Sequence, residues 1–269
     1  MKPIQRSRWR LAAGICYYRL KRYGEWLFGK KQYAKKREKE LLAHVHFHHQ
    51  TPMLRQLKNV EMWMQHNKVT NLRLAVQRLD GIVIQPGETF SYWKLIGKPT
   101  KSRGYLPGML LSHGRVTAGV GGGLCQLSNL LFWMTIHTPL TITERHRHSY
   151  DVFPDANRTQ PFGSGATCFY NYMDLQIKNE TKQPYQLHLY LTQTHLVGEW
   201  RASMPATRSY EIVEKDHAIQ PSLWGGYERK NSLYRNVYSL DGEWQQEEWV
   251  TDNHALLMYE PLLPGGRQG

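Results

Sequence analysis

GVGGGLCQLSNLLFWMTIHTP, residues 119–139, sets the reading of the chain: three glycines run into a cysteine, a glutamine and a dense apolar segment. Gly121, Gly122 and Gly123 free the backbone for positive φ or for a close approach, at an entropic cost that an ordinary loop avoids. The apolar segment is bounded by Pro139, and its spacing predicts a helix from Leu124 to about Ile136. Leu124, Leu127, Leu130, Leu131, Phe132, Trp133, Met134 and Ile136 cover most of its circumference, so the helix is expected at the centre of a core. Only its N-terminal end is polar, where Cys125 and Asn129 stand at i and i+4 with Ser128 beside them. Cys125 falls in the first turn, where unpaired N–H groups and the positive dipole end favour a thiolate, the reactive form of cysteine.

Outward from this helix the pattern changes on both sides. TITERHRHSYDVF, after Pro139, is rich in β-branched and aromatic residues and reads as a strand carrying His146 and His148 on one side. Upstream, residues 34–66 read as helical, and Thr70 or Asn71 caps a short helix, NLRLAVQRLDGI, that Gly81 ends. Ile82 to Val120 is punctuated by PGE, GKP, PG and HGR and reads as short strands and loops. From Asp174 the chain reads as antiparallel β, with Leu187 and Leu189 alternating against polar neighbours and Asp241-Gly242 favouring a type I′ hairpin turn. The expected fold class is α+β: a basic helical N-terminal region (1–66), a mixed core with a central buried helix against short strands (67–203), and a C-terminal module of antiparallel β-hairpins (204–269).

The net charge of +13 suggests a nucleic-acid binder until its distribution is read. Residues 1–40 hold 13 Lys and Arg against 3 Glu, a net of +10, which leaves +3 for the remaining 229 residues. The basicity is an N-terminal arm, and nucleic acid is not an expected partner. The arm has no apolar run long enough to span a membrane, and Arg19, Lys21 and Arg22 interrupt any secretory core. Trp9, Ala13, Cys16, Leu20, Tyr23 and Leu27 recur at helical spacing. Such a helix either lies on an anionic membrane surface or packs on the body with its basic face solvated. Three cysteines without an export signal point to reduced thiols and to the cytoplasm or the inner membrane face. No CxxC or HExxH occurs, and the HVHFHH run at His44, His46, His48 and His49 matches no common ligand spacing, so neither metal nor cofactor is expected.

GETFS at Gly87–Ser91, Gly104-Tyr105, GGGLCQLSNLLFW at Gly121–Trp133, Glu144-Arg145, His148-Ser149, Ala166-Thr167 and DLQIKN at Asp174–Asn179 together resemble the VanW family over about residues 65–200. The resemblance implies a role in the neighbourhood of glycopeptide-antibiotic resistance and the cell wall, with no established reaction. One position departs from the family pattern: where relatives read G.DAT, this chain reads GSGAT, with Gly165 in the place of an aspartate. If that aspartate orients a histidine, then Asp151, Asp155 or Asp174 must serve here, or none does.

Two chemistries fit these residues. In the first, Cys125 is a nucleophile toward an amide or ester of a wall precursor, His148 is its base with His146 competing, and the N–H groups of Cys125 and Gln126 form an oxyanion hole. Gly121, Gly122, Gly123, Ser128, Arg145 and His146 would then contact the substrate. In the second, Cys125 is a small buried hydrophobe. Phe90, Tyr92, Trp93 and Tyr105 with Arg103, Arg115, Arg145 and Arg147 then line a groove for a peptide carboxylate or a precursor phosphate.

Overall fold

The computed structural model describes residues 7–55, 60–112, 114–154, 159–223 and 225–261. Its first half runs through helix α1 (Arg8–Phe28), strand β1 (His44–Pro52), helix α2 (Met62–Leu79), strands β2 (Val83–Ile84) and β3 (Thr89–Ser91), the short helix α3 (Tyr92–Ile96), strands β4 (Pro107–Ser112) and β5 (Arg115–Val120), and helix α4 (Cys125–Ile136). The second half is strand throughout: β6 (Thr141–Glu144), β7 (Tyr150–Asp151), β8 (Gln176–Lys178), β9 (Tyr185–Leu191), β10 (His195–Ala202), β11 (Arg208–Pro221), β12 (Tyr227–Ser239) and β13 (Trp244–Leu257). The chain is α+β, with four α-helices among the described residues and largely antiparallel sheets.

Helix α4 is the core element that its all-round apolarity demands. Leu127, Leu130, Leu131, Phe132, Met134 and Ile136 are buried, each apolar side chain of this size contributing about 1.5–3 kcal/mol on burial. It packs on β1 and β10 of a sheet ordered β1-β10-β9-β2 and on β6 of a second sheet ordered β3-β8-β6. The approach to β10 is close because Gly198 faces the helix: a Cβ there would stand 2.7 Å from Sδ of Met134. The indole of Trp200, also on β10, donates to Oγ1 of Thr135 at 3.1 Å.

The glycine run before α4 is a turn in which Gly121 and Gly123 have φ of +78° and +91°. Gly122 crosses Gly108 of β4 so tightly that a Cβ would lie 2.1 Å from the Gly108 carbonyl. Both uses foreseen for these glycines are therefore present, and together they place Cys125 at the first position of the helix.

Several local expectations are corrected. Residues 34–66 are not a continuous helix: His44–Pro52 is a strand paired antiparallel with β10, its burial alternating from Phe47 onward after a register shift between Val45 and Phe47. The basic stretch before it runs extended along the body, bonded through its backbone to Thr89, Gly81 and Val83, with Tyr33 and Ala34 buried. Helix α2 starts at Met62, so neither Thr70 nor Asn71 is its cap; Asn71 is buried and ties Leu106 and the Gly122 carbonyl to the helix. Gly81, at φ +78°, does follow the end of that helix. His146 and His148 lie between β6 and β7, not on one strand, and they bond different partners. At Asp241-Gly242 only Gly242 has positive φ, which excludes type I′; Gly242 donates to Ser239 and the loop closes from Ser239 to Glu243.

The long C-terminal strands form a sheet ordered β11-β12-β13-β7, in which β7 pairs parallel with β13.

Candidate functional site

A cleft of about 200 Å³ opens beside the N-terminus of α4. Cys125 and Cys168 lie in it together, walled by Trp93, Phe169, Tyr170 and Tyr172, with Arg19 and Lys98 among its lining residues. Gly121 and Leu124 contribute the turn side, which is why the glycine run matters for the site as well as for the core.

Burial raises the Cys125 thiol above its ordinary value, partly offset by the backbone N–H groups of Cys168 and of Cys125 itself that point at the sulfur. Cys168 is raised further, by burial and then by the neighbouring Cys125. At neutral pH both are thiols.

The sequence-derived residues fall into separate places. The ring of His148 is held by Oδ1 of Asn129 at 3.2 Å and by the Thr167 hydroxyl at 2.7 Å, and it is not among the groups lining the cleft. His146 bonds Glu144 at 3.0 Å. The Gln126 side-chain amide reaches away to Thr51 and the Pro52 carbonyl, and its backbone N–H is spent on the Gly123 carbonyl, so it does not serve the oxyanion hole expected of it. Ser128 is buried and its hydroxyl lies 2.7 Å from the Ala166 carbonyl. Arg145 binds the Gly163 and Gly165 carbonyls, Thr251 and Asn253 while lying 4.8 Å over the Phe132 ring. Of the aromatic set, Phe90, Tyr92 and Tyr105 are buried in the core and Trp93 alone lines the cleft.

Gly165 has a structural partner. A Cβ at this position would stand 2.4 Å from Oδ1 of Asn129, so the glycine makes room for that side chain, and Asn129 takes the N–H of Ala166 as well as His148. Asp151 is engaged elsewhere, with Arg229 and Tyr259; Asp174 takes the hydroxyl of Ser91 and the N–H of Trp93; Asp155 lies outside the described residues.

Sequence reasoning missed Arg19, Lys98, Cys168, Phe169, Tyr170 and Tyr172. The arginine lies in the basic arm and the rest in loops, where no periodicity marks a side chain for a cleft. Arg19 is placed by α1, which docks through a string of polar contacts. Arg19 Nε donates to the Tyr170 carbonyl at 3.1 Å, Arg22 donates to the Asn171 carbonyl and to Glu144, and the Tyr23 and Tyr170 hydroxyls meet at 2.8 Å.

Comparison with known proteins agrees with this architecture of motifs. The family model described as VanW like protein matches residues 67–201. Over 153 residues the chain is 40% identical to the vancomycin B-type resistance protein VanW of Enterococcus faecalis, covering 57% of this chain and 56% of that protein. Over 147 residues it is 31% identical to the uncharacterized protein YoaR of Bacillus subtilis, covering 55% and 46% respectively. The chain thus spans about half the length of these curated relatives. No solved structure matches it. With its glycine turn, Cys125 helix and following strands all inside the matched span, the chain belongs to the VanW family.

Proposed function

We propose that the Cys125 cleft binds the anionic end of a cell-wall precursor, a peptide carboxylate first of all, and that the protein serves wall metabolism or glycopeptide resistance through that binding. The lining carries the reading: among the described residues it contains two cations, Arg19 and Lys98, four aromatic rings and no carboxylate. A carboxylate entering there gains charge-assisted hydrogen bonds, worth about 1.5–3 kcal/mol each, while the rings cover the adjoining apolar group. The volume of about 200 Å³ suits the terminal residue of a peptide. Vancomycin resistance, named for the Enterococcus faecalis relative, supports a ligand of wall origin.

Cysteine-dependent acyl transfer on the same ligand is the second reading, favoured by the place of Cys125 at the first position of α4 and in the lining of the cleft. It requires the thiol proton to leave, and the histidine nearest in sequence logic, His148, is held by Asn129 and Thr167. Binding without chemistry needs no such base.

Calorimetric titration of the full chain with a wall-type peptide, free or amidated at its C-terminus, separates these readings. The free carboxylate is expected to bind at least about tenfold more tightly than the amide, and Arg19→Ala with Lys98→Ala to erase that preference. Cys125→Ser is expected to leave affinity within a few fold. Equal affinity for the amide overturns the reading. A peptide fragment attached to Cys125, with release of the amine or alcohol and loss of both in Cys125→Ser, replaces it with acyl transfer.

A further inference from the structure

Helix α1 is turned the opposite way from a helix that packs by its apolar face. Trp9, Ala13, Cys16, Leu20 and Leu27 follow i, i+4, i+7, i+11 and i+18 spacing and form one stripe along it. That stripe faces solvent: Trp9 is 87% exposed, Leu20 65% and Leu27 72%, with Phe28 at the helix end 88% exposed and Cys16 exposed as well. The face turned to the body carries Arg22, only 7% exposed, whose guanidinium bonds Glu144, Glu25 and the Asn171 carbonyl. In all, nine large apolar side chains of this 21-residue helix are exposed, with Trp9, Leu20 and Leu27 aligned on the stripe, too many for the scattered surface hydrophobes of an ordinary protein.

We infer that this outward face of α1 binds the surface of an anionic lipid bilayer. Charge selects the occupant. Residues 1–40 carry 13 Lys and Arg against 3 Glu, and Arg10 and Lys21 flank the apolar stripe on the same helix. A second copy of this chain would set two such basic patches against each other, whereas phosphate and phosphoglycerol headgroups complement them. No helix among the described residues is long and apolar enough to cross a membrane, so α1 lies in the interface, its tryptophan and leucines in the acyl boundary and its cations among the headgroups. The docked face is fastened to the body by Arg19 and Arg22, so the helix meets the bilayer without leaving the protein. Because Arg19 also lines the Cys125 cleft, membrane binding brings the cleft mouth close to the headgroup layer. The inference stands on α1 alone and is independent of what the cleft holds.

The test is sedimentation of the full chain with vesicles of phosphatidylcholine alone or mixed with phosphatidylglycerol. Binding to the mixed vesicles is expected to be at least about tenfold stronger and to weaken as salt rises. A polarity-sensitive fluorophore on exposed Cys16 is expected to shift to the blue on binding. Leu20→Glu with Leu27→Glu, both at exposed positions, should abolish binding while leaving thermal unfolding unchanged. Absence of binding to the mixed vesicles, equal binding to both kinds, or full binding by the double variant overturns the inference. So does a concentration-dependent dimer that the double variant dissolves without any lipid binding, which would make a second copy the occupant.

Discussion

Gly165 and the Asn129 side chain compete for one small volume. With a Cβ at 165 standing 2.4 Å from Oδ1 and 2.8 Å from Cγ of Asn129, an alanine must push the amide aside. The amide is not free to move, since its oxygen accepts from the Ala166 N–H at 2.9 Å and holds Nε2 of His148 at 3.2 Å. Gly165→Ala is therefore expected to cost about 1–3 kcal/mol through overpacking. Asn129→Ala is expected to cost a similar amount, because it leaves a buried N–H without its partner. Combined, the two should cost less than their sum by about 1 kcal/mol or more, because the smaller residue at 129 vacates the space the alanine needs. Urea denaturation of the four proteins measures this, and strict additivity would disprove the coupling. The polar strip of Cys125 and Asn129 was legible from helical spacing, but its meaning was not. It depends on a loop at 163–167 that folds over the helix, and no local pattern announces a loop's destination.

Among the elements, the segment between β6 and β7 shows how a residue read as a ligand contact can be a structural clamp. Arg145 donates to the Gly163 and Gly165 carbonyls at 2.7 and 2.9 Å, and to Thr251 and Asn253 of β13 at 2.9 and 2.8 Å. Burial, and then the charge of Arg147, lowers its guanidinium to about 10, so it remains the cation at neutral pH. Arg145→Ala strips four acceptors at once and is expected to cost about 3 kcal/mol, with faster hydrogen exchange along β13 and β7. Arg145→Lys should recover little of this, since a single ammonium cannot span four acceptors on two elements. Unchanged exchange in β13 would show that the clamp does not hold the C-terminal sheet. The same contrast governs what could be read at this scale. Helix α4 and the β12–β13 hairpin declare themselves because apolar period and turn residues agree with the structure. Strand β1 does not: the Lys and Glu run before it favours helix locally, and only pairing with β10, some 150 residues later, makes the His44–Pro52 segment a strand.

For the whole molecule, stability is a balance of buried groups that titrate in opposite senses. Asp174 is fully buried, accepting from the Ser91 hydroxyl at 2.5 Å and the Trp93 N–H at 2.9 Å. Burial pushes its carboxyl up to about 6, more than these hydrogen bonds hold it down, and the charge of Glu144 adds to the rise. Its folded value lies above the ordinary value, so between pH ~4 and ~6 the folded chain binds more protons than the unfolded one. Stability on its account is therefore complete below about pH 4 and is lost as pH rises through 6, a change on the order of 3 kcal/mol. His137 works the other way. Burial lowers it to about 4, so it subtracts stability as pH falls from ~6.5, when the unfolded imidazole takes a proton that the folded one refuses. Glu144 reinforces that acid-side loss: burial would raise it, but His146 and Arg22 hold it below its ordinary value, so its contribution fades as pH drops below ~4.5. The total curve is thus expected to look flat across the region where Asp174 acts, and only subtraction exposes it. In Asp174→Asn the amide oxygen still accepts the Trp93 N–H and the Ser91 oxygen accepts from the amide, while the titration is gone. The stability difference, wild type minus Asp174→Asn, should fall by about 2 kcal/mol between pH 4 and pH 6, lose a further few tenths up to about pH 7, and stay level above. Denaturant unfolding across pH 4–8 measures it directly; a difference that rises with pH would mean that the hydrogen bonds to Asp174 outweigh its burial.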